Sequence, residues 1–318
     1  MIRIAGWCHD WSDSNLKRLC QLGVDCCDGM PLPTDDRGIF DLDEALEVKK
    51  KIHSWGMQVN RISLPNLSKI FMDEEDGADK ELDVVCDSLR VLGEVGYPLA
   101  RVHFHYTTYD WMVGHYQASH RGGYLARGDS LAMAKDNSPA PPHEEQERRW
   151  GRVCIAYKRL VPIAEEFGVK LMMHPSDPPN ADALFGGLGF HRLIDAFPNP
   201  CVGYLYCCGT RAEAGGLPLV LDELHNYGRK GRLFEVHFRN VRASFSTAGS
   251  FEEVLLDDGD MNMFKILLEL RNVGFEGCLN PDHYPRLEGD PDQIDGNTHA
   301  FAYSVGYMKA MLAALACV

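Results

Sequence analysis

The chain has 318 residues, of which 45% are hydrophobic and 25% charged, the composition of a folded globular protein. Its formal net charge of −14, from 46 acidic and 32 basic residues, disfavours a nucleic acid as its partner. An anionic small molecule would need a local positive group in this protein, such as an arginine or a metal ion.

Neither a membrane span nor an export signal is expected. No run of about 18 apolar residues occurs, and the first residues, MIRIAGWCHDW, lack the apolar stretch of a signal peptide. The 11 cysteines are scattered through apolar segments, which is typical of reduced thiols. We therefore expect a cytoplasmic protein.

Short β-branched or aromatic runs alternate eight times with stretches of helical periodicity. The predicted strands are 3–8, 24–30, 58–64, 100–106, 169–174, 201–207, 233–238 and 275–281. The predicted helices are 14–22, 43–55, 80–95, 144–167, 189–197, 217–227, 261–273 and 298–316. The first three helices end at Gly23, Gly56 and Gly96, as glycine commonly terminates helices.

Eight strand–helix units predict a (β/α)8 barrel, an α/β fold of the TIM-barrel type, as one domain over 1–318. Runs such as VKLMM and CVGYLYCC are apolar throughout, as buried parallel strands are. A doubly wound open sheet is the alternative. A long loop, 107–142, follows the fourth strand, and we expect a lid over the site, with a disordered insertion as the alternative.

Four consecutive predicted strands end in a side chain that can bind a metal. These side chains are His174, Cys207, His237 and Asp282. Active sites of such barrels lie at the carboxyl ends of the strands, so the four should converge in one cavity. Two imidazoles, a thiolate and a carboxylate suit Mn²⁺, Fe²⁺, Co²⁺ or Zn²⁺ better than Mg²⁺ or Ca²⁺. Cys208 is a rival ligand, and each residue taken alone could be structural.

Several motifs resemble those of mannonate dehydratases, over roughly the second half of the chain. The segment that begins His174-Pro175 and continues Ser-Asp-Pro-Pro is similar to the family's His-Pro-Asp-Asp-Pro-Pro. Three later segments resemble the family's later motifs, in the same order. They are His237-Phe-Arg, Pro-Asp282-His and Tyr303-Ser-Val-Gly.

The resemblance implies a xylose-isomerase-like barrel with one divalent ion, Mn²⁺ first among the candidates. It implies conversion of D-mannonate, a small sugar acid, to 2-keto-3-deoxy-D-gluconate and water. Carried over by position, the ligands are the four strand-end residues. His283 and Tyr303 become the acid/base candidates, and the sequence does not say which of them removes the proton.

The first half of the chain departs from the family pattern. Ile62-Ser63-Leu64-Pro65 stands where the family has Glu-Ser-Val-Pro, so that glutamate is absent. This leaves open a sugar isomerase or epimerase of the same barrel superfamily, or a catalytically inactive barrel that binds a sugar acid. The sequence also leaves open whether the chain forms a homo-oligomer.

Four further residues are expected to bind the substrate. Arg239 lies two residues after His237, on the same face of an extended strand, with a salt bridge as the alternative role. His103 and His105 lie on the same face of the fourth predicted strand, and Arg61 lies near the end of the third. Packing inside the barrel is the alternative for these three.

Overall fold

The computed structural model describes residues 1–29, 32–108, 110–136, 139–180, 182–290 and 298–317. The strands are β1 (Arg3–Cys8), β2 (Cys26–Gly29), β3 (Gln58–Ser63), β4 (Leu99–Arg101), β5 (Gly114–Ser119), β6 (Leu125–Ser130), β7 (Lys170–Met173), β8 (Val202–Cys207), β9 (Leu233–His237), β10 (Asn240–Arg242), β11 (Ser250–Val254) and β12 (Cys278–Asn280). The helices are α1 (Asp13–Leu22), α2 (Leu42–Ser54), α3 (Lys69–Met72), α4 (Ala78–Val95), α5 (His143–Phe167), α6 (Gly187–Ala196), α7 (Cys208–Arg229), α8 (Phe245–Ala248), α9 (Met263–Asn272) and α10 (His299–Leu315).

Eight of these strands close into a parallel barrel in the order β1, β2, β3, β4, β7, β8, β9 and β12. The barrel closes where β12 pairs with β1, with Ile4 opposite Leu279. The predicted (β/α)8 fold is therefore confirmed. Since all strands run the same way, their carboxyl ends share one rim, where loops carry functional groups.

Local sequence signals explain where the barrel's helices begin and end. Ser12 and Asp41 cap the N-termini of α1 and α2, where their side chains accept backbone hydrogen bonds. Gly23 and Gly96 follow α1 and α4 in the left-handed conformation, with φ of 77° and 75°. A side chain would be strained there, so glycine stops both helices.

The barrel interior contains an apolar layer and a charged layer. Leu99, Met172, Leu205 and Phe234 form the apolar cluster. A cluster of buried polar side chains joins strands across the barrel and comprises Asp28, Asn60, Arg61, Glu235 and Asn280. The outer helices bury a much larger apolar core against the strands.

A four-stranded antiparallel sheet, the accessory sheet, lies beside the barrel in the order β10, β11, β6, β5. Its β5–β6 hairpin comes from 107–142, where a loop was expected. Its β10–β11 hairpin follows β9, and β11 pairs with β6, with Phe251 opposite Asp129. The segment after the fourth barrel strand is therefore structured by pairing with a second loop of the barrel.

The fourth barrel strand is shorter than predicted and ends at Arg101, not at residue 106. Beyond it, Phe104 forms only an isolated bridge with Leu67, and Tyr106 has a φ of 64°. The chain therefore leaves the sheet before His103 and His105, and the expectation that both point from one face of a strand was wrong.

Among the described residues, no helix is long and apolar enough to cross a membrane.

We expect Gly203→Ala to destabilise the barrel. A Cβ on Gly203 in β8 would lie 2.5 Å from the Arg232 backbone oxygen and 2.6 Å from the Phe234 ring. Overpacking of this kind costs about 1–3 kcal/mol. The matched control is Gly151→Ala in α5, where a Cβ meets nothing within 4 Å, so the helix should gain about 0.5–1 kcal/mol. Urea denaturation measures both, and equal stability of the two variants would contradict the close packing at Gly203.

Candidate active site

The structure brings the four strand-end side chains together at the rim. Cys207 and His237 are the last residues of β8 and β9, while His174 and Asp282 follow β7 and β12. One ligand atom from each lies within 4.8 Å of all the others. A single ion could therefore contact all four groups.

Hydrogen bonding selects the imidazole nitrogens that are free to bind a cation. Nδ1 of His174 donates to the carbonyl oxygen of Pro175 at 2.6 Å, which leaves the Nε2 lone pair free. Both ring nitrogens of His237 are buried without a hydrogen-bond partner. Its Nδ1 lies 3.0 Å from Oδ2 of Asp282, but without hydrogen-bond alignment. Buried nitrogens rarely stay unsatisfied, so this arrangement fits a shared cation.

The protonation tendencies of three of these groups agree with ligation. Burial, and then the nearby charge of Arg101, hold the pKa of His174 well below its ordinary value, so the imidazole is neutral. Burial acts to raise the pKa of Asp282, but His237 and His283 hold it well below its ordinary value. Burial raises the pKa of Cys207 to about 12, so its thiol ionises readily only beside a cation. Two nitrogens, one sulfur and one carboxylate oxygen fit a divalent transition metal.

Arg239 lies beside this cluster and is buried in a network of carboxylates. Its guanidinium pairs with Glu213 of α7, with Asp177 at 2.8 Å and with Glu253 of β11 at 3.3 Å. It also donates to the Thr210 hydroxyl at 2.9 Å. The structure therefore places Arg239 in the interior of the site, with both terminal nitrogens of its guanidinium hydrogen-bonded to protein groups.

Asp177, Glu253 and His283 also converge, with one ligand atom each within 4.8 Å of the others. Arg239 already contacts the first two carboxylates, so this group is better described as an ion-pair network than as a second metal site. Its effect is to join the loop after β7 to the accessory sheet.

His283 follows Asp282 directly and turns toward the accessory sheet. Its φ of 47° lies in the left-handed region, a strained conformation that is common at functional sites. Nδ1 of His283 lies 2.7 Å from Oε1 of Glu253, which fixes the ring. Burial lowers the pKa of His283, but the carboxylates of Asp282 and Glu253 outweigh this and raise it to about 10.

Two adjoining cavities open at the cluster. The smaller, of about 310 Å³, is lined by Arg101, His103, His174 and His237, among others. The larger, of about 690 Å³, extends along the accessory sheet. Trp7, Arg127, Asp282 and His283 line both.

A family model described as D-mannonate dehydratase (UxuA) matches residues 126–318, more than half of the chain. The chain belongs to the D-mannonate dehydratase family. This confirms the resemblance found in the motifs.

Two relatives show how far the similarity extends. Mannonate dehydratase 2 of Halalkalibacterium halodurans is 26% identical over 175 residues, which cover 52% of this chain and 49% of that protein. The mannonate dehydratase of Thermotoga petrophila is 21% identical over 293 residues, 79% of this chain and 80% of that protein. The first match thus spans about half of the relative's length, and the second about four fifths.

Solved structures support the fold. A mannonate dehydratase from Streptococcus suis superposes with a TM-score of 0.84 at 20% identity, over 98% of this chain and 94% of that one. A xylose isomerase domain protein from Planctomyces limnophilus gives a TM-score of 0.65 at 15% identity, over 100% and 99% of the chains. At these identities the likeness concerns architecture, and it confirms a xylose-isomerase-like barrel.

The expected substrate-binding residues are spread over different parts of this family member. His103 lines the smaller cavity. His105 is exposed, stacks edge-on against Tyr106 and is not among the residues that line either cavity. Arg61 is fully buried in the barrel interior, where Nε lies 2.9 Å from Glu235 and the guanidinium covers Trp7 at 4.7 Å.

Tyr303 is not brought into the cluster. It lies on α10, 38% exposed, and borders a separate pocket together with Arg121. Burial and the neighbouring Asp257, which pairs with Arg121 at 2.7 Å, raise the pKa of the Tyr303 hydroxyl. The structure thus separates the two acid/base candidates, His283 and Tyr303.

The sequence reasoning missed Arg127 of β6 and Glu253 of β11, which come from the accessory sheet. Arg127 lines both cavities and pairs with Asp129 at 2.8 Å. A signal for this hairpin was present, because Gly122-Gly123 separates two short runs and a Gly-Gly pair is typical of a tight β-turn.

We expect Cys207→Ala to lose the metal and Cys208→Ala to retain it. Cys207 is in the four-residue cluster, whereas Cys208 packs in the apolar core. Atomic emission on dialysed, Mn²⁺-loaded protein gives the metal content, and circular dichroism shows whether each variant is folded. Metal loss from Cys208→Ala but not from Cys207→Ala would show that Cys208, and not Cys207, is the thiolate ligand.

Proposed function

We propose that this chain is a metal-dependent hydro-lyase that converts D-mannonate to 2-keto-3-deoxy-D-gluconate and water. The convergence of His174, Cys207, His237 and Asp282 beside His283 carries this proposal. Membership of the D-mannonate dehydratase family supports it.

Dehydration of an aldonate requires removal of the proton next to the carboxylate and loss of the hydroxyl on the next carbon. The metal, when bound, supplies Lewis acidity that offsets the negative charge developing at the carboxylate end. We propose Mn²⁺, with Fe²⁺, Co²⁺ or Zn²⁺ as alternatives that the same donors accept. His174, Cys207, His237 and Asp282 would hold it.

The residues of the chain divide the remaining tasks. We propose that His283 transfers the proton, since it lines both cavities and is oriented by Glu253. His103 would contact the substrate from the wall of the smaller cavity. Arg239 would act indirectly, because it positions carboxylates of the site such as Glu253, which orients His283. Tyr303 stays a candidate for the second proton transfer on the family resemblance alone.

A cytoplasmic location is also part of the proposal. All eleven cysteines are free thiols, which fits a reducing compartment. The proposed partner is the small sugar acid itself.

D-Mannonate should give a keto acid that semicarbazide detects by absorbance, with Mn²⁺ but not after treatment with EDTA. The Cys207→Ala variant is the matched control, since it lacks one ligand in the same buffer. A keto acid formed from a different aldonate, and not from D-mannonate, would change the assigned substrate but support the assigned reaction. Chelator-resistant turnover, or no keto acid from any aldonate, would contradict the proposal and favour an isomerase or a binding protein.

His283→Asn should lower kcat by about 10²- to 10⁴-fold, the usual contribution of a positioned acid or base. Tyr303→Phe should lower kcat less, because Tyr303 borders the separate pocket beside Arg121 and Asp257. Steady-state kinetics with saturating Mn²⁺ compares them, and metal content confirms that both stay loaded. A larger loss for Tyr303→Phe would reverse the assignment of the proton-transfer residue.

A further inference from the structure

Arg101 occupies an unusual position among the site's arginines. It is the last residue of β4, opposite Ser63 of β3 and Met172 of β7. It lines the smaller cavity together with His174 and His237. The guanidinium therefore lies beside the four-residue cluster, at the level where the barrel opens.

The other arginines of the site are paired with carboxylates, and Arg101 is not paired with any carboxylate in the described part of the chain. Arg61 contacts Glu235 at 2.9 Å, Arg127 contacts Asp129 at 2.8 Å and Arg239 contacts Asp177 at 2.8 Å.

Within the described ranges, Arg101 has no salt bridge or side-chain hydrogen bond, and its Nε is buried without a partner. Burial, reinforced by the charge of Arg61, lowers the pKa of Arg101 to about 10, which leaves it protonated at neutral pH. Arg101 is half-buried, and a partly desolvated cation without a salt-bridge partner is costly, so a partner for it is expected to come from the cavity.

We propose that Arg101 binds the carboxylate of the substrate, and thereby restricts this site to open-chain sugar acids. This inference rests on the proposed function and adds its specificity-determining residue. The planar guanidinium presents paired donors that match a carboxylate, and an ionic hydrogen bond in a buried cavity is stronger than one in water.

The neighbouring His103 supports a polyhydroxy acid as the class of ligand. Its Nε2 is buried, without a hydrogen-bond partner, and the residue lines the same cavity. Burial and the charges of Arg101 and Arg61 lower the pKa of His103 to about 2, so its ring is neutral. A neutral imidazole can accept from, or donate to, a hydroxyl group next to the carboxylate.

The same contacts argue against a neutral keto sugar, the substrate of the isomerase alternative. Such a ligand would cover Arg101 and leave it without an ionic partner. A ligand that lacks an acceptor for a donor of the site binds more weakly, because that donor is covered without a partner. The arginine therefore favours the acid over the uncharged sugar.

The test compares D-mannonate with its neutral amide, D-mannonamide, in Arg101→Met and Arg101→Lys. Binding is measured by calorimetry on Mn²⁺-loaded protein in a His283→Asn background, which suppresses turnover. Arg101→Met should weaken D-mannonate binding at least roughly 30-fold, as expected for loss of a buried charge pair. D-Mannonamide should bind with equal affinity to the protein with Arg101 and to Arg101→Met. Arg101→Lys should recover part of the lost D-mannonate affinity, because lysine keeps the positive charge but lacks the planar guanidinium.

The matched control is Arg90→Met on α4, whose exposed side chain pairs only locally with Asp87. It should change neither affinity. The metal content and the melting temperature of each variant are also measured without ligand, to show that it remains loaded and folded. Since methionine replaces a half-buried cation that has no ion-pair partner among the described residues, Arg101→Met should retain the metal and melt no lower than the parent protein.

Three results would overturn the inference. The first is an unchanged D-mannonate affinity in Arg101→Met. The second is an equal loss of affinity for D-mannonate and for D-mannonamide. The third is a loss of bound metal together with the loss of D-mannonate affinity. Failure of the proposed function is a separate outcome. In that case the parent protein without the His283 change makes no keto acid, while the Arg101-dependent preference for the acid persists and the inference stands.

Discussion

The site depends on one buried guanidinium, that of Arg239. It contacts Glu213 on α7, Asp177 after β7 and Glu253 on the accessory sheet, so three separate segments meet at one cation. Glu253 in turn orients His283. Removing one member of such a buried network leaves uncompensated charge, at a cost of about 3–5 kcal/mol. The proton-transfer candidate is therefore held through a chain of ion pairs that begins at Arg239.

This arrangement also explains how a strongly acidic protein can bind an acid. The chain carries a formal charge of −14, and many acidic groups at the rim are paired with arginines within the protein. Paired charges present little net field to a ligand. The positive charge that faces the cavity comes from Arg101 and from whatever cation His174, Cys207, His237 and Asp282 hold.

Much of the fold and the metal cluster could be predicted because both depend on local patterns. Apolar runs that end in His174, Cys207, His237 and Asp282 place these residues on one rim once the barrel is assumed. The accessory sheet depends on pairing between β6 and β11, more than a hundred residues apart in sequence, so Glu253 had no local signal. The resemblance suggested Tyr303, but only tertiary packing shows that Tyr303 borders a separate pocket with Arg121.

Arg61 and Arg101 show what periodicity cannot decide. Leu99 pairs with Arg61 across β3 and β4, so Arg101, two residues later, lies one layer nearer the rim. In the lower layer, Glu235 and Asp28 face the guanidinium of Arg61, and the charge is neutralised within the barrel. At the level of Arg101, His174 and His237 line the cavity, and no described carboxylate forms a salt bridge with Arg101. The difference between a structural arginine and one that selects a ligand thus depends on the side chains that other strands contribute at the same level of the barrel, and the sequence of one strand does not contain that information.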